Sequence, residues 1–225
     1  MCRVLFAVAM FVIATAARAQ TSAAVTETAP GMFDVGNVKV DQNARTASFL
    51  AEVNMRDGLV EYLLVTESGK THESVFTTKI DPANLHVAML LLGAKGFAKK
   101  TSAPPGQIDA SYLRKAPELG GEQVEIIVKW PGHEARAEDF IFKKNAPAAR
   151  GFWVYNGSFI LEGKFLARLD GSIIALVTDP AALINNPRPG HENDHIWSVR
   201  TEAMPSTNTA VEITLQLAEK KPARP

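Results

Sequence analysis

Five histidines give this chain its most legible chemistry, and two of them share one short string. His191-Glu192-Asn193-Asp194-His195 is a literal H-E-x-x-H. On a helix that spacing puts two imidazoles one turn apart, where they hold zinc or another divalent metal while the glutamate activates water. The surroundings argue against a helix. Asn185-Asn186-Pro187-Arg188-Pro189-Gly190 comes before it, Asn-Asp sits in its middle, and Ile196-Trp197-Ser198-Val199 reads as a strand. Glu202 and Glu212 are the available third ligands, neither on a convincing helix. A polar turn between helix and strand is therefore favoured, and no cofactor is expected. The alternative is a metal-binding protein or metal-dependent hydrolase using His191, Glu192, Asp194 and His195, joined by His72 and Glu73 if the fold brings the segments together.

A second constellation lies at 61–74. Glu61 falls inside an apolar run, and a carboxylate there needs a partner such as Lys70 or His72 on a neighbouring strand. Glu61, Lys70 and His72 thus form a candidate polar binding site, with an internal ion pair that fixes strand register as the favoured simpler reading. If His72-Glu73-Ser74 opens a strand, His72 and Ser74 share a face that Glu73 does not, so no Ser/His catalytic pair is supported. Gly69-Lys70-Thr71 mimics the end of a phosphate-binding loop, but Leu64 stands where that motif requires glycine and a strand follows, which excludes it. Trp153 is the fourth candidate binding residue, since Trp130, Trp153 and Trp197 could line a groove, although tryptophans of a β-rich domain more often build its core. His86 lies in an apolar helix and reads as a core histidine, and His133 as solvated. Asn156-Gly157-Ser158 spells a sequon and reads simply as a turn. No coherent nucleophile, base and orienting group emerges, which leans away from an enzyme.

The elements that must position these residues are mainly strands. Phe49, Ala51, Val53 and Met55 alternate with Leu50, Glu52 and Asn54, and the same period of two runs through Val124–Trp130 and Val211–Leu217. Arg56-Asp57-Gly58, Pro131-Gly132 and Asn156-Gly157 supply turns. Leu59–Val65 and Ile173–Val177 read as strands covered on both faces. Asp81-Pro82 caps a helix whose apolar run ends at Gly93 and should be buried against the sheet. Asp179-Pro180-Ala181-Ala182-Leu183 repeats that start, predicting a short second helix and hinting at a weak internal duplication. The fold class expected is α+β: a mostly antiparallel β-sheet with one buried helix and a short second helix.

The 225 residues carry 24 basic and 24 acidic side chains and are 46% hydrophobic, which excludes a disordered polyelectrolyte, a membrane bundle and a globally basic nucleic-acid surface. Arg3, the apolar run Val4–Ala17 and Ala17-Arg18-Ala19 read as a signal peptide over residues 1–19, cut before Gln20. Cleavage removes two basic residues, no acidic ones and the only cysteine, Cys2, leaving a charge of about −2 and no thiol for disulfides, metal thiolates or iron–sulfur clusters. No later stretch is long enough for a membrane span, so an exported, soluble product in the periplasm or outside the cell is expected. Residues 20–32 read as a flexible lead-in, 33–218 as one β-rich domain, Lys95–Gly121 as a long loop and 219–225 as a disordered tail.

Several strings in the same order resemble the YdjY-like family of exported bacterial proteins: Val60–Val65, Gly69–Ser74, Leu85–Gly93, Trp130, Arg136–Asp139, Trp153–Ser158, Asp170–Leu176, the Asp179-Pro180 start and Pro205–Leu217. The resemblance covers roughly residues 35–217. It implies no assigned activity, and a ferredoxin-like label used for some relatives does not fit a mature chain without cysteine. The function expected is a non-enzymatic module that binds a small ligand or an envelope protein. The metal reading comes second and a structural or assembly factor third.

Overall fold

Alternating apolar residues become the long strands of the computed structural model, which describes residues 24–96 and 120–219. In β4 (Thr46–Val53), β7 (Glu122–Trp130) and β17 (Ala210–Leu217), every second side chain is buried. The inward residues include Ala47, Phe49, Val124, Ile126, Ile213 and Leu215, while the intervening positions are polar or charged with few exceptions. Short strands complete the wall: β5 (Tyr62–Thr66), β6 (Ser74–Thr78), β11 (Trp153–Tyr155), β14 (Ser172–Ala175) and β15 (Ile184–Asn185).

From β4 the hydrogen-bonded neighbours run through β17, β7, β11, β15, β14, β5 and β6, and Glu52↔Thr77 and Val53↔Phe76 join β6 back to β4. Eight strands thus form a closed barrel filled by its own side chains. This corrects the expected α+β sheet with a buried helix. The pairings are antiparallel except for β5–β6 and β14–β15, which are parallel.

Before the barrel, β1 (Val25–Ala29), β2 (Met32–Val35) and β3 (Val38–Asp41) form a meander that continues from the first half of β4. β1 and its turn occupy part of the stretch read as a lead-in. β3 pairs with Thr46–Ser48 of β4, and β6 pairs with Glu52 and Val53 on the same edge. Between them Phe49–Ala51 has no strand partner on that side, and the outer surface there is notched.

Beyond the barrel wall, β8 (His133–Arg136) forms a hairpin with β7 through the Pro131-Gly132 turn. β9 (Ile141–Lys143), β10 (Ala146–Pro147) and β16 (Trp197–Val199) form a small sheet, bridged to the barrel by Leu59↔Ser198. β12 (Ile160–Leu161) and β13 (Lys164–Phe165) form a separate hairpin.

α1 (Pro82–Leu91) starts as expected, with the Asp81 carboxylate accepting from the Ala83 N–H at 2.9 Å. It is not buried all round: Leu85, Ala88 and Met89 face the core, and Leu90 is exposed. The Asp179-Pro180 start also caps, with Ala181 N–H donating to Asp179, but the chain turns at once into β15. Ile184 is required opposite Ile174 in the wall, and the Asn185 side chain bonds the backbone of Asp179, so no helix propagates. The second α-helix among the described residues is α2 (Leu166–Asp170), ended by Gly171 in the left-handed region. The stretch read as a signal peptide, most of Lys95–Gly121, read as a loop, and nearly all of the stretch read as a tail lie outside the described residues.

Candidate functional site

The connection between the parallel strands β5 and β6 has to cross back over the wall, and this crossing gathers the predicted polar residues. A Cβ at Gly171 would run into Thr66 Oγ1 and the Gly69 backbone. The glycine of the Gly69-Lys70-Thr71 string is therefore explained by the close passage of two chain segments. Beneath the crossing, Tyr62, Val65, Ala175 and Ala182 form a small cluster apart from the main core. Lys70 Nζ lies 5.1 Å from the Tyr62 ring centre and 3.3 Å from Glu73 Oε1, and the Tyr62 hydroxyl donates to Asp179 Oδ2 at 3.0 Å.

Glu61 is half-buried beside this group. Burial raises its pKa, Glu73 and Asp194 add to the rise, and Lys70 and His72 oppose it. Glu61, Lys70 and His72 meet at Glu73, whose carbonyl accepts from the Glu61 N–H at 3.0 Å and whose carboxylate lies 3.3 Å from Lys70 Nζ and 3.9 Å from His72 Nε2. His72 is 78% exposed on a short 3-10 turn (Thr71–Glu73), so the expected strand alternation does not apply to it. Ser74 is buried and donates to the Phe76 carbonyl. Burial and Asp179 push the Tyr62 hydroxyl up to about 12. Burial opposes the Lys70 charge, yet the Tyr62 hydroxyl and Glu73 raise its pKa on balance. Both groups keep their protons at neutral pH, which suits a clasp or a binding surface and does not suit a base or nucleophile.

The H-E-x-x-H string lies in turns before β16, preceded by a strand and not by a helix. His191 Nδ1 bonds Thr178 Oγ1, whereas His195 is 82% exposed beside Asp194, Nε2 to Oδ1 3.4 Å. The two rings therefore do not share a helix face. Among the described residues no group of three or more His, Cys, Asp or Glu is arranged to hold a metal.

Trp153 is no part of the surface at Glu61, Lys70 and His72: it is buried, and its indole N–H donates to Glu138 Oε1 at 3.1 Å. Glu138 is 1% exposed and also accepts from the Arg188 guanidinium. Arg136 Nε stands 3.6 Å from Glu138 Oε2. Arg188 lies over the Trp153 ring, donates to the Ala149 and Gly151 carbonyls and reaches Asn186 Oδ1. The adjoining void leaves no room for a water molecule. This network is internal, and within it Arg136 Nε and Glu138 Oε2 are buried without a hydrogen-bond partner among the described residues. From the sequence, nothing distinguishes Glu138 from an exposed glutamate.

A second internal polar pair joins α1 to the wall: the Tyr155 hydroxyl lies 2.7 Å from His86 Nδ1 and donates when the neutral ring carries its proton on Nε2. Burial lowers the His86 pKa, so the folded protein favours the neutral ring. Its contribution is complete above the unfolded value of about 6.5 and is lost as pH falls from there through the folded pKa. Thermal unfolding at pH 7 and pH 5.5 should show a drop in Tm that is smaller in His86→Gln. An equal drop in both proteins would show that His86 is not the group responsible.

The notch beside β4 is a groove of ≈ 670 Å³. Its floor carries Ser48, Leu50 and Glu52 of β4 with Glu212 of β17, and β2–β3 and residues 77–80 form its walls. Leu50 is 69% exposed there. The signal for it was present in the sequence: Leu50 is an apolar residue on the otherwise polar face of an alternating strand.

A family model described as the YdjY domain matches residues 38–216, from the start of β3 almost to the end of β17. No curated protein and no solved structure matches the chain.

Proposed function

The chain belongs to the YdjY domain family over residues 38–216, and on that footing we propose that it is an exported, soluble, non-enzymatic module that binds a small ligand in the groove beside β4. The groove carries this reading: ≈ 670 Å³ is the size of small-molecule sites, and its floor offers an exposed leucine among convergent polar groups. The polarity of the wall supports a water-facing barrel. Apolar side chains fill its interior, and Ser48, Glu52, Glu125, Lys129 and Glu212 stand on the outward positions of β4, β7 and β17, the reverse of a membrane barrel. Arg3, the apolar run and Ala17-Arg18-Ala19 support export to the periplasm or beyond. The protonated resting state of Lys70 and Tyr62 and the turn geometry of residues 191–195 support binding over catalysis.

Leu50→Arg tests the reading, because it fills the groove while leaving the interior untouched. The immobilised protein is exposed to a small-molecule extract of the cell envelope, and retained compounds are identified by mass spectrometry. The expected result is a compound enriched on the parent protein and absent from Leu50→Arg. Equal retention on both would place the ligand elsewhere.

A further inference from the structure

Two carboxylates in the groove, Glu52 and Glu212, make no ion pair among the described residues. Glu212 stands directly opposite Leu50 across the β4–β17 ladder and Glu52 opposite Ala210, so the two acids are diagonal neighbours flanking the leucine. Of the two lysines in the groove lining, Lys79 is paired with Glu67 at 3.5 Å, and Lys39, opposite Asp34 on β2 and Ser48 on β4, makes no ion pair among the described residues. Lys129, opposite Glu212 on β7, is paired with Glu134 at 3.1 Å. An apolar platform flanked by two carboxylates, in a lining that sets four acids against two lysines, is complementary to one class of small molecule.

We infer that the ligand is a small organic cation with an apolar body, its alkyl or ring portion lying on Leu50 and its ammonium group between Glu52 and Glu212. This rests on the groove being the binding site. The carboxylates select charge, because an anionic ligand of the same shape would meet like charge on both sides. The leucine selects an apolar body, because a fully hydrated polyamine would leave Leu50 in water and gain only screened ion pairs.

Three probes with one alkyl chain separate charge from shape: octylammonium, octanol and octanoate. Each is titrated into the purified protein at pH 7, with the Leu50 methyl resonances followed by NMR. The expected result is saturable perturbation of Leu50 by octylammonium at the lowest concentration. Its binding should weaken about threefold in Glu212→Gln or Glu52→Gln, the scale of an exposed ion pair, and weaken again as salt is raised. Binding of octanol or octanoate at Leu50 with equal strength, unaffected by these variants, would overturn the cationic class and leave the groove as the site. Failure of all three probes to move Leu50 would overturn both.

Discussion

Glu138→Ala is expected to lower the free energy of unfolding by about 3–5 kcal/mol, the cost of stranding buried charge by removing its partner. Arg188 has a side chain only 10% exposed, and its charge is opposed by that burial and sustained by Glu138. Loss of the carboxylate leaves Arg188 facing Arg136 and takes the acceptor from the Trp153 indole. Against a total stability of about 5–15 kcal/mol, this is a severe loss. Glu138→Gln keeps the size and one acceptor oxygen for Trp153 but not the charge, so it should cost less, about 2 kcal/mol. Glu138→Leu combined with Arg188→Met should lose less than the sum of the single changes, because an apolar pair strands nothing. Urea unfolding followed by tryptophan fluorescence measures all of these. Values for Glu138→Ala and Glu138→Gln within about 0.5 kcal/mol of the parent, the range of ordinary surface changes, would contradict a buried charge network.

Phe76→Ala carries the second large effect, about 3–5 kcal/mol. Phe76 is fully buried, meets Phe140 edge-on with ring centres 5.5 Å apart, and lies opposite Val53 at the pairing that closes the barrel. Its removal empties the interior at the seam. Leu50→Ala, on the outward side of the neighbouring strand, should change stability by no more than about 0.5 kcal/mol. In an open sheet β6 would be an edge with little behind Phe76, and the two substitutions would differ far less. The contrast, read by thermal or urea unfolding, therefore tests barrel closure.

The long strands were legible in the sequence because eight or nine residues of alternation leave a clear period. The closed barrel was not, since β11, β14 and β15 contribute only two to four residues each and β6 meets β4 by a pairing that no local pattern encodes. The Asp-Pro start misled at Asp179, where tertiary pairing of Ile184 ended the turn that the cap had begun. It succeeded at Asp81, where nothing competed. Glu61, Lys70 and His72 were brought together by the crossing between β5 and β6, although their grouping had been expected from adjacent strands. Trp153 was separated from them because its partner is Glu138, far along the chain and unremarked in any motif. The groove escaped because its walls arise where β3 and β6 share one edge of β4, a property of topology, and only the outward Leu50 marked its floor in the sequence.

Mapping bound fragments by crystallography, with a library that includes cationic, neutral and anionic members of matched size, tests the binding groove most directly. The expected result is that fragments concentrate between β3 and β6 in contact with Leu50, the cationic ones placing their charge beside Glu52 and Glu212. Fragments that gather instead at Glu61, Lys70 and His72, leaving the groove empty, would contradict the groove as the site and move the binding function to the crossing between β5 and β6.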